Sequence, residues 1–371
     1  MPRHPKTSGD VSRSARRDFG EYSYEEVASV VANYFCAGKT MSEIRTRLAE
    51  EPHRIVLRRE DPWQLVSYAA TRGRIRYIAP FEHELEERIR ERSFGVDVRV
   101  VLTGLTGDVS QQVATQLLSM IRSLRLRDAG REEIHIGFAG GRALGQAARI
   151  LADLVRHPPY ENLPKRLVFH AMIAAFNTDD PAREPNSFFT YLADDTGLPF
   201  KTGFVGLQAP GMVDRKTYEV LRELPEIRAA FEEKPKIDIV VMSAGGHWQG
   251  GHSTLYRIFE GRCREALEIL KENGCVGDCM WQPVGEKGPL KVETPVFPLT
   301  LMALDELPGL IRQGKKVLLA ISPCGRCGGP KEEVARIILD YHEPLISHLI
   351  IDSRSARGLL AAPKLELPKQ N

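Results

Sequence analysis

The chain has little of several features that would identify a protein class at once. Its 371 residues include only six cysteines and 7% aromatic residues. Six cysteines in a chain of this length do not form a disulfide framework, which predicts a reducing cytoplasmic setting. No apolar run approaches the ~18 residues that a membrane helix needs, and the polar start has no signal-peptide core. We therefore expect a cytoplasmic protein without a membrane partner.

Charge and catalytic motifs are equally sparse. The formal net charge is +2, so bulk electrostatics indicates no partner and any nucleic-acid signal must be local. The glycine-rich segments fit neither a Walker loop nor a Rossmann fingerprint, which argues against nucleotide chemistry. We find no clear carboxylate pair and no nucleophile–base motif, so the sequence predicts no catalytic residues and no cofactor.

The pattern along the chain divides it into four segments. Residues 1–20 are polar and basic and predict a disordered tail. Residues 21–80 hold three short helical patterns and an alternating stretch, which outline a winged helix-turn-helix. Residues 81–95 are heavily charged and predict a solvated linker helix. From 96 to 371 strands and helices alternate, which predicts βαβ units and an α/β domain with a parallel sheet.

The most informative stretch is a strand, Lys316 to Ser322, followed by the loop Pro323 to Lys331 and then a helix. Such a loop gathers free backbone N–H groups and the positive end of a helix dipole at one point, where anions bind. Lys331 adds a positive charge in the first turn. This arrangement predicts a phosphorylated small molecule as ligand.

Other loops follow predicted strands, and ligands of open α/β sheets bind at the carboxyl ends of strands. Gly140, Gly141 and Arg142 follow one strand, and Gly245, Gly246 and His247 follow another. Asp278 sits in a predicted Gly-Asp-Cys turn, where it would accept hydrogen bonds from sugar hydroxyls. An equally weighted interpretation makes Asp278 an N-cap or turn residue.

The order of these motifs resembles the SorC-type sugar-binding transcriptional regulators. The resemblance spans roughly Tyr22 to Leu360 and rests most on Gly-Cys-Val-Gly-Asp and Gly-Gly-Pro-Lys. It implies a DNA-binding head, oligomerisation, and an effector domain with the fold of ribose-5-phosphate isomerase and glucosamine-6-phosphate deaminase. It also implies control by a sugar or sugar phosphate. The loop residues that match the family pattern are Gly137, Gly141, Arg142, Gly328, Gly329 and Lys331.

The head departs from that pattern. Family recognition helices usually begin with serine and threonine, whereas here Glu60 and Asp61 precede the helix body, and carboxylates repel phosphate. Nearby arginines offset this repulsion. The predicted contacts to double-stranded DNA are Arg58, Arg59, Gln64, Arg72 and Arg74.

The cysteines are a second departure and leave alternatives open. Cys275 and Cys279 flank Asp278, and Cys324 and Cys327 form a Cys-x-x-Cys. Together they could hold zinc or an iron–sulfur cluster, with His247 and His252 as further ligands, or form a redox switch. Zinc sites more often pair two Cys-x-x-Cys knuckles. Buried thiols acting as small apolar groups are the commoner outcome.

Three functions remain in view. The first is a cytoplasmic regulator whose α/β domain binds a sugar or sugar phosphate. The second is an enzyme of the sugar-phosphate isomerase or deaminase type, with proton transfer among Asp278, His247, His252 and Lys331. The third is a regulator that senses thiol oxidation or metal. The presence of the head favours the first.

Overall fold

A computed structural model describes residues 19–50, 54–72, 75, 78–93, 95–156, 160–174, 181–193, 198 and 200–364. In this described part the chain forms two compact units, divided between Ile78 and Ala79. Each unit has its own apolar core. No helix of the described residues is long and apolar enough to span a bilayer.

The first unit contains three helices, α1 (Tyr24–Cys36), α2 (Met41–Ala49) and α3 (Asp61–Thr71). Both α1 and α2 begin with reciprocal capping boxes. In the second box the Glu43 N–H donates to Thr40 Oγ1 at 3.2 Å, and Glu43 Oε2 accepts from the Thr40 N–H at 2.8 Å. These bonds satisfy N–H groups that a helix start leaves without partners.

Two predicted parts of this unit lie largely outside the described residues. Of the tail, only Phe19 and Gly20 are described, and of the wing only Ile75 and Ile78. The connection between α2 and α3 runs from Glu50 to Glu60, much longer than the ~3–4-residue turn of a helix-turn-helix.

The second unit alternates strands and helices. Its helices are α4 (His83–Arg92), α5 (Thr106–Arg127), α6 (Arg142–Val155), α7 (Pro185–Leu192), α8 (Arg215–Glu223), α9 (Pro225–Glu233), α10 (Thr254–Arg262), α11 (Arg264–Glu272), α12 (Leu307–Arg312), α13 (Glu332–Asp340) and α14 (Ser353–Ala361). Its strands are β1 (Asp97–Val101), β2 (Glu133–Phe138), β3 (Arg166–Ala171), β4 (Lys201–Val205), β5 (Met212–Val213), β6 (Ile239–Gly245), β7 (Cys275–Cys279), β8 (Gln282–Gly285), β9 (Gly288–Pro289), β10 (Phe297–Pro298), β11 (Lys316–Ile321) and β12 (His348–Asp352).

The sheet has the strand order β1-β12-β11-β6-β2-β3-β4, and all of these neighbours pair in parallel. Its middle strands are almost wholly buried and apolar, as expected where helices cover both faces. The parallel α/β sheet predicted from the alternation is therefore present. The carboxyl ends of β2, β6 and β11 lie side by side, because these strands are adjacent in the sheet.

One prediction about this sheet is wrong. The sequence places Asp278 in a turn, whereas it lies within β7, which pairs antiparallel with the end of β6, with Gly245 opposite Asp278. The turn comes later, at Met280 and Trp281, which both adopt left-handed backbone angles (φ 50° and 60°). Non-glycine residues rarely adopt such angles, so the sequence carries no glycine signal for this turn.

The charged segment around α4 is a helix as predicted, but it is more than a solvated linker. Ile89 is fully buried and Glu86 is 1% exposed. Glu86 accepts hydrogen bonds from Arg90 and from the Val100 N–H. Arg92 Nη2 pairs with Asp340 Oδ2 at 2.6 Å. This helix therefore packs against β1 and belongs to the second unit.

Candidate functional site

A cavity of about 320 Å³ opens at the carboxyl ends of β2, β6 and β11. The loops that follow these strands supply most of its wall, and β7 with the start of α10 closes it. The lining residues are Thr106, Gly140, Gly141, Arg142, Ala143, Arg183, Ser243, Ala244, Gly245, Gly246, His252, Ser253, Thr254, Arg257, Asp278, Trp281, Ser322, Pro323, Cys324, Gly325, Arg326 and Lys331.

The first wall is the turn from β2 into α6. Gly141 has φ +126°, and a Cβ built there would lie 2.7 Å from Ser243 Oγ. Only glycine fits this position without strain. Gly141 also precedes α6 with no side-chain cap, so the first N–H groups of the helix keep no capping partner. Arg142, the first helical residue, donates to the Gly325 carbonyl at 3.2 Å and so links this wall to the loop after β11.

The floor of the cavity centres on Asp278, which is 4% exposed. The Ser253 hydroxyl donates to Asp278 Oδ1. A Cβ at Gly245 would lie 2.2 Å from the same oxygen, so the bare backbone of β6 is what allows the carboxylate to pack there. Burial raises the pKa of Asp278 to about 6, while the Ser253 hydrogen bond and the Lys331 charge act in the opposite direction.

Lys331 reaches the cavity from the start of α13. Its Nζ donates to the Ala244 carbonyl at 2.9 Å, and its backbone N–H donates to Ser355 Oγ at 2.9 Å. Withdrawal from solvent lowers the pKa of Lys331, although the nearby Cys324, Asp278 and Asp352 favour its charged form. The ammonium and the Asp278 carboxyl thus share one poorly solvated region.

Positive charge dominates the wall. Five basic side chains line the cavity, against the single carboxylate of Asp278 among the described lining residues. The basic residues are Arg142, Arg183, Arg257, Arg326 and Lys331. Hydroxyls of Ser243, Ser253 and Thr254 add donors and acceptors. Such a wall suits a small polar ligand that carries negative charge.

Most of the predicted effector residues come together at this cavity. Those lining it are Gly140, Gly141, Arg142, Gly245, Gly246, Asp278 and Lys331. Gly137, His247, Gly328 and Gly329 are not among the lining residues. A Cβ at Gly137 would lie 2.4 Å from Met172 Sδ, so that glycine serves packing inside β2. The loop after β11 lines the cavity with its first half, Pro323 to Arg326, and with Lys331.

Sequence reasoning missed the contribution of α10 and Trp281. Ser253 is the N-cap of α10, and its Oγ accepts from the Tyr256 N–H at 3.3 Å. A serine before an apolar helical pattern is a recognised start signal, so this helix could have been predicted. Trp281 lies in the turn after β7. That turn contains no glycine, so the sequence pattern does not predict it.

The four cysteines do not form one set. Cys275 and Cys279 are fully buried within β7, where Cys279 Sγ contacts Met242 Sδ at 3.6 Å. Burial raises the pKa of the Cys275 thiol to about 12 and that of Cys279 further still. Among the described residues, the thiols of Cys324 and Cys327 lie instead beside the His247 ring, with donor atoms within 4.8 Å of one another.

The Cys324 thiol behaves differently from those in β7. Burial works to raise its pKa, but backbone N–H groups of Cys327 and Arg326 outweigh that effect and hold the pKa below its ordinary value. His252 Nδ1 lies 3.8 Å from Cys324 Sγ. Cys324 Sγ therefore has imidazole groups from both His247 and His252 near it.

In the first unit, the described DNA candidates are all exposed: Arg58, Arg59, Gln64 and Arg72. Arg74 lies outside the described residues. Asp61 is only 7% exposed, and its Oδ2 accepts from the Arg58 N–H at 2.6 Å. One of the two carboxylates expected to repel phosphate therefore points into the fold and holds the loop before α3.

Solved structures with a similar fold are bacterial transcriptional regulators. The full-length sorbitol operon regulator SorC from Klebsiella pneumoniae aligns with a TM-score of 0.58 and 14% identity, over 92% of this chain and 100% of that one. A DeoR family transcriptional regulator from Listeria monocytogenes gives 0.51 and 20%, over 74% and 98%. A transcriptional regulator from Streptococcus pneumoniae TIGR4 gives 0.55 and 15%, over 75% and 96%.

This chain has the fold of the SorC-type regulators. The resemblance inferred from the motifs is thus confirmed at the level of fold, since identities this low speak to fold alone. No family model and no curated protein matches the chain.

Proposed function

We propose that the chain is a DNA-binding transcriptional regulator whose second unit binds a sugar or sugar phosphate. The basic cavity at the carboxyl ends of β2, β6 and β11 carries this proposal. The fold adds weight, because the alignment with full-length SorC spans 92% of the chain and so extends beyond the second unit. We further propose that the second unit has the fold of the ribose-5-phosphate isomerase and glucosamine-6-phosphate deaminase group.

A sugar phosphate fits the cavity because one wall offers positive groups for the phosphate and another offers hydrogen-bonding groups for the sugar. The phosphate is assigned to the start of α6, where uncapped N–H groups, Arg142 and Arg326 face the cavity. The sugar hydroxyls are assigned to Asp278, Ser253 and Thr254. A carboxylate with a raised pKa that gains hydroxyl donors is better satisfied than one left without them.

The proposed DNA-binding part is the first unit, as a winged helix-turn-helix. Its exposed Arg58 and Arg59 precede α3, and Gln64 is exposed in the first turn of that helix. We assign the arginines to phosphates and Gln64 to a base edge. We also propose a homo-oligomer, because operators with two half-sites are read by paired heads.

Ligand binding is tested by calorimetry with a panel of sugar phosphates and their unphosphorylated sugars. Arg142→Gln should lower the affinity for sugar phosphates by about 10- to 100-fold, because it removes a charge-assisted hydrogen bond to the phosphate. The affinity for unphosphorylated sugars should be nearly unchanged. Asp278→Asn should weaken both classes. Arg222, which packs against Tyr218 and Phe231 outside the cavity lining, provides the control Arg222→Gln. Equal losses in Arg142→Gln and the control would overturn the assignment.

DNA binding is tested with duplexes from upstream of the gene across a salt series. Arg58→Ala and Arg59→Ala should each lower the affinity for all duplexes. Each should also reduce the slope of log affinity against log salt concentration by about 0.9. Gln64→Ala should weaken the preferred duplex alone. Ala70→Ser, exposed on a different side of the same helix, tests whether any change in α3 has this effect. Uniform weak binding to every duplex would contradict the proposal.

One observation favours a second candidate, a sugar-phosphate isomerase or deaminase. The pKa of Asp278 is raised to about 6 and that of Lys331 is lowered, which suits proton transfer near neutral pH. Incubation of the protein with ribose 5-phosphate and glucosamine 6-phosphate, followed by NMR, tests this. Turnover that Asp278→Asn abolishes would establish the enzyme, and unchanged substrates would exclude these two reactions.

A further inference from the structure

Two thiols and one imidazole converge beside the cavity. One donor atom of each of Cys324, Cys327 and His247 lies within 4.8 Å of the other two. They come from two different loops, since His247 follows β6 and the cysteines follow β11. Of the three, only Cys324 lines the cavity, and none of them is among the side chains to which we assign the phosphate or the sugar hydroxyls.

The backbone of the Cys-x-x-Cys segment is folded so that both sulfurs face one side. The Cys324 N–H donates to the Gly329 carbonyl and the Gly328 N–H donates to the Cys324 carbonyl, each at 2.8 Å. Gly328 makes the bend possible with a left-handed φ of +68°. The Gly329 N–H donates to Cys327 Sγ at 3.4 Å, which fixes the position of that sulfur within the bend.

His247 is placed over this bend by equally specific means. Its own backbone is left-handed (φ 54°), which is uncommon for histidine. A Cβ at Gly329 would lie 2.8 Å from His247 Nε2, so the absence of a side chain there lets the ring approach. Nε2 is buried and has no hydrogen-bond partner among the described residues. A buried polar atom left in this state is costly and calls for an explanation.

We propose that Cys324 Sγ, Cys327 Sγ and His247 Nε2 bind a zinc ion. Two thiolates and one imidazole form the donor set that zinc prefers, whereas calcium and magnesium take oxygen ligands. Tetrahedral bonds of ~2.3 Å to sulfur and ~2.0 Å to nitrogen hold donors roughly 3.3–3.8 Å apart, so a small closing movement completes the site. His252 Nδ1, at 3.8 Å from Cys324 Sγ, stands beside the fourth position.

Zinc would tie the loop after β6 to the loop that begins α13. Both loops contribute to the cavity wall, through Gly246 on one side and Pro323 to Arg326 on the other. The ion would therefore hold these two parts of the cavity wall in place. This proposal is independent of the proposed function, because zinc can bind whether or not the chain reads DNA.

The test uses the full-length chain, reduced, stripped of metal and handled without oxygen. Zinc alone is titrated against a chromophoric chelator, and cobalt is titrated separately. We expect one equivalent per chain, with cobalt giving thiolate charge-transfer absorption and tetrahedral d–d bands. Cys327→Ser and His247→Asn should each lower the zinc affinity at least 100-fold. Asparagine is chosen because it tolerates the left-handed backbone of position 247.

Cys36→Ser is the matched control, because Cys36 is exposed and lies in α1 of the other unit. It should leave zinc affinity unchanged. Far-ultraviolet circular dichroism of each metal-free variant verifies that a loss of zinc is not a loss of fold. Absence of stoichiometric zinc in the reduced wild type would overturn the proposal, as would unchanged zinc affinity in Cys327→Ser. Neither result depends on DNA or sugar, so failure here is distinguishable from failure of the proposed function.

Discussion

Two cysteine-bearing segments meet at the cavity, and they use the same residue types in opposite ways. In β7 the segment Cys275–Cys279 is a buried strand whose thiols contact apolar atoms or backbone. In the loop Pro323 to Lys331, which we call the cysteine loop, Cys327 is exposed and Cys324 lies beside His252. Secondary structure, rather than residue type, decides which thiols are available for chemistry.

The glycines of the two segments differ in the same way. A Cβ at Gly277 in β7 would lie 2.4 Å from the Gly245 carbonyl oxygen and 2.5 Å from Val334 Cγ2. A Cβ at Gly328 in the cysteine loop would meet nothing within 4 Å, and only its left-handed φ of +68° demands glycine. One glycine makes space for close packing and the other permits a bend.

The largest expected contrast is in thiol reactivity. In metal-free Cys36→Ser protein at pH 8, we expect Cys327 and Cys324 to be alkylated at least ~10³ times faster than Cys275 and Cys279, because a thiol with a pKa of about 12 is rarely ionised. Mass spectrometry of quenched time points measures each site. Comparable rates for β7 and the cysteine loop in folded protein would break the comparison.

The next largest effect should come from replacing the glycines of the two segments. Gly277→Ala should cost about 3 kcal/mol of unfolding free energy, because two neighbours, one of them backbone, must move. Gly328→Ala should cost about 1 kcal/mol, from backbone strain alone. Urea denaturation of the two variants measures both. A cost for Gly328→Ala that equals or exceeds that for Gly277→Ala would contradict the packing described for β7.

The pH dependence of stability tests the burial of Asp278. Its pKa of about 6 in the folded chain exceeds the 3.8 of an exposed aspartate, so its ionisation opposes folding as pH rises through this range. Between pH 4 and pH 7, the unfolding free energy of the wild type should therefore fall by about 2–3 kcal/mol relative to that of Asp278→Asn. Urea denaturation at a series of pH values gives the difference. A constant difference would place the carboxyl in solvent.

The smallest effect concerns cysteine polarity. Cys279→Ser should cost about 2 kcal/mol of unfolding free energy, because the more polar hydroxyl would be buried against the apolar Met242 side chain. The same exchange at exposed Cys327, in metal-free protein, should change stability by less than about 0.5 kcal/mol. Thermal and urea unfolding of the pair compares them directly. Equal costs would mean that both thiols have similar surroundings.

The sequence predicts much of the fold because its signals are local. The helix α6 (Arg142–Val155) is an example, since a glycine turn precedes it and a stripe of apolar residues runs along it. The strands of the parallel sheet were found because fully buried strands are continuous apolar runs. The parallel strands also predict the position of the cavity, because the carboxyl ends of neighbouring parallel strands lie at one edge of the sheet.

The remainder depends on contacts between segments distant in the chain. Asp278 was expected in a turn because Gly277 suggested one, but that glycine serves packing against β6. The turn itself uses Met280 and Trp281, which rarely adopt left-handed angles. The grouping of His247 with Cys324 and Cys327 arises only when β6 and β11 pair, so spacing alone could not separate these cysteines from those of β7.

The most direct test of the regulator is operator binding measured with and without effector. Fluorescence anisotropy of a labelled upstream duplex is followed during titration with the sugar phosphate that calorimetry selects, for wild type and Arg142→Gln. We predict tight, salt-sensitive DNA binding in the wild type, with an affinity that the sugar phosphate shifts at least ~5-fold. In the variant the same response should require a higher ligand concentration. Selective DNA binding that no sugar phosphate alters, or identical responses of the two proteins, would contradict it.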